Sequence, residues 1–390
     1  MLSGNKGEWS EIYVFLRLLE DGKIYAADRD LNPIKNAFLN ILKIIREEVR
    51  GHRYEYAPSR NDEARIHIFL NGTDIGSRPL AQISEARNWL WKRISTATRG
   101  SCITDVGLEQ FLGAIHVHKL KSPASKSAEF FGGTQDVAMQ VSDYRSGVIS
   151  TIGFSCKSEF GGSATLFNAS CDNTNFVYEV TGGLDDAAAK TFNALRDDQG
   201  HIATSERMRF LKQRGCGLKF VGIAAGHGER NLILSGGYEM PAIVAEMLRY
   251  YYYVGENAQS HSPLENALQH VASVNPAHYD FADVEGVYRR KVSSMLYDMF
   301  SGMRFGKPWS GRSSVNGGFI AVKSDGSVVA YHSCLADEFK DYLLSHIRFE
   351  SPDNGRHRSM VIIESKGRHY IKLALQCRFF RGVAGSRHAS

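Results

Sequence analysis

Apolar residues in "GEWSEIYVFLRLLE" (7–20) recur at helical spacing, with Trp9, Ile12, Leu16 and Leu19 on one face, and predict an opening helix. The stretch "LNPIKNAFLNILKIIREEV" (31–49) carries a similar period and predicts a second one. "EARIHIFLNG" then reads as a strand and "QISEARNWLWKRI" as a helix, before a lysine-rich, loop-like segment, "HKLKSPASKSAEFFGGTQ". Between Asp136 and Lys157, apolar or alternating runs flank the turn-forming "YRSG" and predict an antiparallel hairpin. "DDAAAKTFNALRDD", "SERMRFLKQRG" and "MPAIVAEMLRYYYY" have helical spacing, and the glycine-rich "GCGLKFVGIAAGHGER" between the last two reads as turns. From about Gly317 strands return: a hairpin on Asp325-Gly326, the helix "DEFKDYLLSHI", and a second hairpin in "SMVIIESKGRHYIKLALQCRFF".

This order predicts an α/β fold, a mixed central sheet flanked by helices, with a β-rich C-terminal part. The expected division is a core over 1–300 and a C-terminal region over 301–390, with one continuous domain as the alternative. Composition is globular, and a net charge of +5 suits a polyanionic partner without identifying one. The six cysteines show no paired spacing and the N-terminus lacks a signal-peptide core, so a reducing, cytoplasmic setting is expected. The most apolar long window, "MPAIVAEMLRYYYYVG", contains Glu246 and Arg249 and is too short to span a bilayer.

Candidate chemistry centres on the first hairpin, where Ser155 and Lys157 alternate onto one face of the second strand. A tight turn on Ser146-Gly147 would set Asp136 opposite Lys157, whereas a wider loop would set Asp143 opposite Ser155. Burial favours Asp143, because an acid closing an apolar strand is harder to solvate than one following "GGTQ". An aspartate beside a lysine suits metal-dependent phosphodiester hydrolysis, in which carboxylates hold Mg²⁺ and the lysine orients or activates water. A second carboxylate is needed. Glu11 borders the buried face of the opening helix and is the first choice, while Glu8 suits the positive end of the helix dipole.

Gly7-x-x-x-Glu11, an aspartate and Ser155-x-Lys157 follow the order of the restriction-endonuclease-like nuclease signature. More specifically, "GNKGEWSEIYVFLRLLEDGKIYAAD", "QVSDYRSG", "GFSCKS", "TNFVYEV", "GGFIAVKSDGSVVAYH" and "YIKLALQCRF" resemble the HpaII family of type II restriction endonucleases. The resemblance implies a Mg²⁺-dependent endonuclease cutting double-stranded DNA at a short palindrome such as CCGG. It also implies a protective DNA methyltransferase as genetic partner, and a palindromic target would favour a homodimer. Asp143, inside "QVSDYRSG", becomes the expected catalytic acid. The resulting site is Asp143 and Glu11 on the metal, Lys157 at the water and Ser155 assisting, with Glu159 the alternative second carboxylate. A structure-specific resolvase or repair nuclease on the same scaffold, or an inactive DNA-binding module, are the other readings, since Ser155 stands where the wider superfamily has an acid.

Pro352-Asp353 with Glu364-x-Lys366 matches the signature more literally, but "PDNG" is turn chemistry and Lys366-Gly367 an apparent hairpin turn, so a surface role is expected. His116 and His118 lack a third ligand, and Tyr250 to Tyr253 suit core packing better than base stacking. Lys119, Lys121, Lys126, Arg304, Arg312, Arg356 and Arg358 fall in three basic clusters and are the expected DNA contacts, and 301–390 is the expected DNA-contacting region.

Overall fold

A computed structural model of the protein describes residues 2–59, 64–98, 101–121, 135–158, 165–255, 264–280, 282–312, 318–332 and 336–379. The chain divides into two units: Met1–Ala164 with Ser314–Tyr342 and Arg381–Ser390, and Thr165–Ser313 with Leu343–Phe380. The 301–390 stretch is therefore shared between them.

In the first unit, helix α1 (Lys6–Asp21) starts at Asn5, whose side chain accepts the Glu8 N–H while Glu8 accepts that of Asn5, a capping box. Gly22 ends it in the left-handed conformation. Trp9, Ile12, Tyr13, Phe15, Leu16, Leu18 and Leu19 are all buried, which spreads well beyond one stripe and makes α1 a core helix. Helix α2 (Leu80–Thr96) packs against it through Tyr13 and Trp91, ring centroids 5.1 Å apart, and through Arg87 on Glu20 at 2.7 Å.

Strands β1 (Lys23–Ala27), β2 (Pro33–Val49), β3 (His52–Pro58), β4 (Arg65–Leu70), β5 (Thr73–Pro79), β6 (Val137–Asp143), β7 (Ile149–Ser158), β8 (Gly318–Val322) and β9 (Val328–His332) form one sheet, ordered β1-β9-β8-β7-β6-β2-β3-β4-β5. β1 also pairs with β2, closing β1, β9, β8, β7, β6 and β2 into a barrel-like ring. The sheet is mixed: β7 with β8 and β9 with β1 are parallel, the other pairs antiparallel. The mixed α/β class is as expected.

The second helix expected over 31–49 is instead β2. Its buried residues change parity, from Ala37, Leu39 and Ile41 to Ile44, Arg46 and Glu48, and the pairing with β6 shifts register between Ile41 and Lys43. The bulge converts a two-residue alternation into spacings that mimic a helical stripe.

The second unit carries an antiparallel sheet ordered Gly217–Ile223, Asn175–Thr181, Arg368–Ala374 and Ile362–Ser365. Gly217–Ile223 is a strand where turns were expected. Its Leu218 and Phe220 pair with Val180 and Tyr178, and hydrogen bonding to a central strand overrides the glycine content. The tyrosine run continues Met240–Arg249 as a π-helical turn, in which Tyr252 is buried and its hydroxyl donates to Ala374 O at 2.9 Å. Among the described residues no helix is long and apolar enough to cross a membrane.

Candidate active site

β6 and β7 pair from Val137–Phe154 to Ser142–Ile149. Val137, Met139, Val141 and Phe154 point into the core that contains α1. Asp136 lies one residue before β6, level with Ser155, and its N–H donates to Phe154 O at 2.8 Å. Its Oδ2 accepts the Cys156 N–H at 2.7 Å. The observed register is thus two residues from the tight-turn expectation and far from the wide-loop one.

Asp143 is placed at the other end of the hairpin. Its Oδ1 accepts the N–H groups of Arg145 and Ser146, both at 2.8 Å, and the Ser146 hydroxyl at 3.1 Å. Slight burial raises its pKa, but these donors outweigh it and hold the carboxyl below the usual range. The acid that closes the apolar strand is satisfied by the turn it opens, so the burial argument that favoured it does not apply.

Glu11 lies beside Ser10, whose hydroxyl is 3.0 Å from that of Ser158, tying α1 to the end of β7. Its Oε2 is buried with no hydrogen-bond partner. Burial first, then the charge of Asp136, pushes its pKa up to about 8 against the opposing pull of Lys121 and Arg46. Asp136 is raised too, by burial, against the Cys156 N–H, Lys157 and Lys121. Two half-buried carboxyls, both raised mainly by burial and one with an orphaned oxygen, are suited to a cation. Among the described residues no group of three or more His, Cys, Asp and Glu is arranged to hold a metal ion. Glu11 and Asp136 offer two hard carboxylates, the donor type that suits Mg²⁺, an ion commonly held by one or two carboxylates with waters and substrate phosphate completing its shell.

Residues 5–379 match the family described as HpaII restriction endonuclease. The chain belongs to the HpaII restriction endonuclease family. It is 30% identical over 378 residues, 97% of this chain and 98% of the relative, to the type II restriction enzyme HpaII of Haemophilus parainfluenzae. Its activity class is accordingly that of a type II site-specific deoxyribonuclease, acting on double-stranded DNA. No solved structure matches the chain.

In this HpaII-family chain, the residues expected from the sequence are distributed as follows. Lys157 and Ser155 are half-buried on β7, paired with Ala321 and Phe319 of β8. Glu8 serves the capping box and an ion pair to Lys121 at 3.2 Å. Glu159 and Lys126 lie outside the described residues. Lys119 Nζ is held by Glu48 O at 2.7 Å, and Arg304 Nη1 by Met299 O and Met303 O, both at 2.7 Å. Arg312 and Arg356 are exposed, and exposed Arg358 lies 3.6 Å from Asp172.

The literal motif does not assemble. Asp353 caps the short helix Asn354–His357, accepting the Arg356 N–H at 3.1 Å. Glu364 accepts the Gly367 N–H at 2.6 Å, and Lys366 occupies the hairpin turn at φ 52°. His116 sits in a turn stacked on Tyr54 at 5.2 Å, not on a strand. Asp136, ranked second by the sequence reading, is the aspartate whose charge acts on Glu11 and which feels the charge of Lys157.

Proposed function

We propose that this enzyme hydrolyses duplex DNA using Mg²⁺ held by Glu11 and Asp136, with Lys157 acting on the attacking water. The observation that carries this is the buried, partnerless Glu11 Oε2 next to a second raised carboxyl, Asp136, in the hairpin that bears Lys157. Bound there, the cation would lower the pKa of a water molecule and neutralise charge on the phosphate. Glu11 sheds its proton to bind. The Cys156 N–H keeps Asp136 Oδ2 oriented, leaving its other oxygen for the cation. Lys157 contributes a positive charge beside Asp136 that can orient the water and offset charge developing on the phosphate. Ser155, level with Asp136, supplies a hydroxyl where an acid would add a third negative charge. Asp136 thereby takes the role expected of Asp143.

The scaffold is proposed to be a restriction-endonuclease-like core, and the target a short palindrome such as CCGG, cut by a two-fold homodimer. Lys121, Arg312, Arg356 and Arg358, all exposed, are the proposed DNA contacts, together with Lys126; Lys119 and Arg304 are more restrained. The free thiols of Cys102, Cys156, Cys171, Cys216 and Cys377 suit the cytoplasm, where a partner methyltransferase would protect host DNA.

The test is a Mg²⁺-dependent digest of unmethylated plasmid and phage DNA by wild type, Lys157→Ala and Lys366→Ala. Discrete fragments from wild type and Lys366→Ala, with none from Lys157→Ala, are expected. Intact DNA with wild type, despite retained binding, would leave only a DNA-binding module.

A further inference from the structure

We propose that Lys121 is a second active-site lysine, seated by Glu8 beside the Glu11–Asp136 pair so that its ammonium meets the scissile phosphate. This rests on the nuclease reading above and adds to it a group with its own built seat. The Glu8 carboxylate divides its oxygens: Oε2 accepts the Asn5 N–H at 3.0 Å, and Oε1 lies 3.2 Å from Lys121 Nζ. The capping box therefore fixes the acid, and the acid fixes the lysine.

The backbone leading to Lys121 is held as closely. Leu120 is buried, and a Cβ at Gly4 would lie 2.4 Å from its Cδ1 and 2.8 Å from Glu8 Oε2, so any side chain there would have to push aside the end of Leu120 or the Glu8 carboxylate. One turn of chain earlier, the buried Arg46–Glu48 ion pair at 3.0 Å clamps the segment. Arg46 Nη2 donates to Lys119 O at 2.7 Å, and Glu48 Oε2 accepts the His118 N–H at 2.8 Å. The Lys121 side chain keeps 69% of its surface open, so its ammonium is accessible while paired to Glu8. Its charge acts on Glu11 and Asp136 as well as on Glu8. When a divalent cation and DNA fill the site, the two acids are neutralised by the cation, and Lys121 remains as an exposed, positioned donor for a phosphate oxygen.

The experiment compares wild type, Lys121→Gln, Lys121→Arg and Glu8→Gln, with Lys157→Ala alongside, in two measurements: single-turnover cleavage at saturating enzyme and Mg²⁺, and DNA affinity in Ca²⁺ without cleavage. Lys121→Gln should slow single turnover by ~10- to 100-fold while affinity changes by less than about threefold. Lys121→Arg should recover most of the rate, and Glu8→Gln should fall between. The proposal is overturned if Lys121→Gln cuts at the wild-type rate. It is also overturned if only affinity falls, with the salt dependence of binding shallower by about one counterion, since Lys121 would then be an ordinary backbone contact. Wild-type cleavage by Lys157→Ala would instead remove the hydrolytic reading beneath it, whatever Lys121→Gln does.

Discussion

The backbone N–H of Cys156 donates to Oδ2 of Asp136 at 2.7 Å, joining the residue before β6 to the centre of the Ser155-Cys156-Lys157 triplet. The donor is a peptide group, so the link does not depend on which side chain stands at 156. It orients a carboxyl whose pKa burial raises and this N–H pulls back down. Asp136→Asn retains that acceptor but loses the charge, and cleavage should fall by ~10³-fold or more, comparable with loss of a principal charge-stabilising or acid–base group. Asp143→Ala should keep cleavage within about threefold and lose ~1 kcal/mol of stability with the turn bonds. Single-turnover assays and urea melts of both variants check this, and the reverse pattern would restore Asp143 as the catalytic acid.

Glu11 makes a pH prediction whose sign is opposite to that of a salt-bridged acid. Its pKa moves from an ordinary 4.5 to about 8 in the folded chain. Between those values the folded state holds a proton that the unfolded state has lost, so stability falls as pH rises through that window. Glu11→Gln removes the penalty. In metal-free buffer at pH 8.5 the variant should be more stable than wild type by ~1–3 kcal/mol, and the gap should close near pH 4.5. Mg²⁺ should stabilise wild type increasingly with pH and leave the variant unmoved. Parallel melting curves across pH would mean that Glu11 is not the buried acid described here.

The hairpin at Lys366 offers a control on the literal motif. Lys366 and Gly367 have φ of 52° and 74°, the twin positive values of a two-residue turn that favours Asn-Gly. Lys366→Asn should therefore leave cleavage unchanged and add ~0.5 kcal/mol or less to stability. A cleavage defect in this variant would revive the Asp353–Glu364–Lys366 alternative.

These contrasts show what could be read from residues alone. α1 was legible because Trp9, Ile12, Leu16 and Leu19 repeat without interruption, and Asp325-Gly326 and Lys366-Gly367 mark their hairpins by turn chemistry. β2 was not, because the bulge between Ile41 and Lys43 moves its core face from odd to even positions. That Ser155 and Lys157 share a face of β7 followed from strand alternation. Choosing between Asp136 and Asp143 required the register, which spacing does not contain. The turn satisfies Asp143 with local N–H groups, and the Cys156 N–H reaches Asp136 across the hairpin; both effects arise only once the strands are paired.

Gly153 should be the most sensitive position in the hairpin that carries no functional group. It pairs with Ala138, and a Cβ there would sit 1.8 Å from Gln135 Oε1, 2.2 Å from its Cδ and 2.9 Å from its Cγ. Three atoms of one side chain cannot all yield by a small rotation, so Gly153→Ala should expel Gln135 from its buried seat. Overpacking of this kind costs ~1–3 kcal/mol. Because Gln135 adjoins Asp136, displacement should also carry the carboxyl away from the Cys156 N–H and slow cleavage by ~10- to 100-fold, while DNA affinity in Ca²⁺ holds. The double variant Gly153→Ala with Gln135→Ala removes the collision, and the small methyl of alanine 135 leaves room for the new Cβ. It should regain most of the stability lost by Gly153→Ala and part of the rate. If the double variant is as unstable as the single one, the strand pair itself rejects a side chain at 153, and Gln135 is not what makes glycine necessary there.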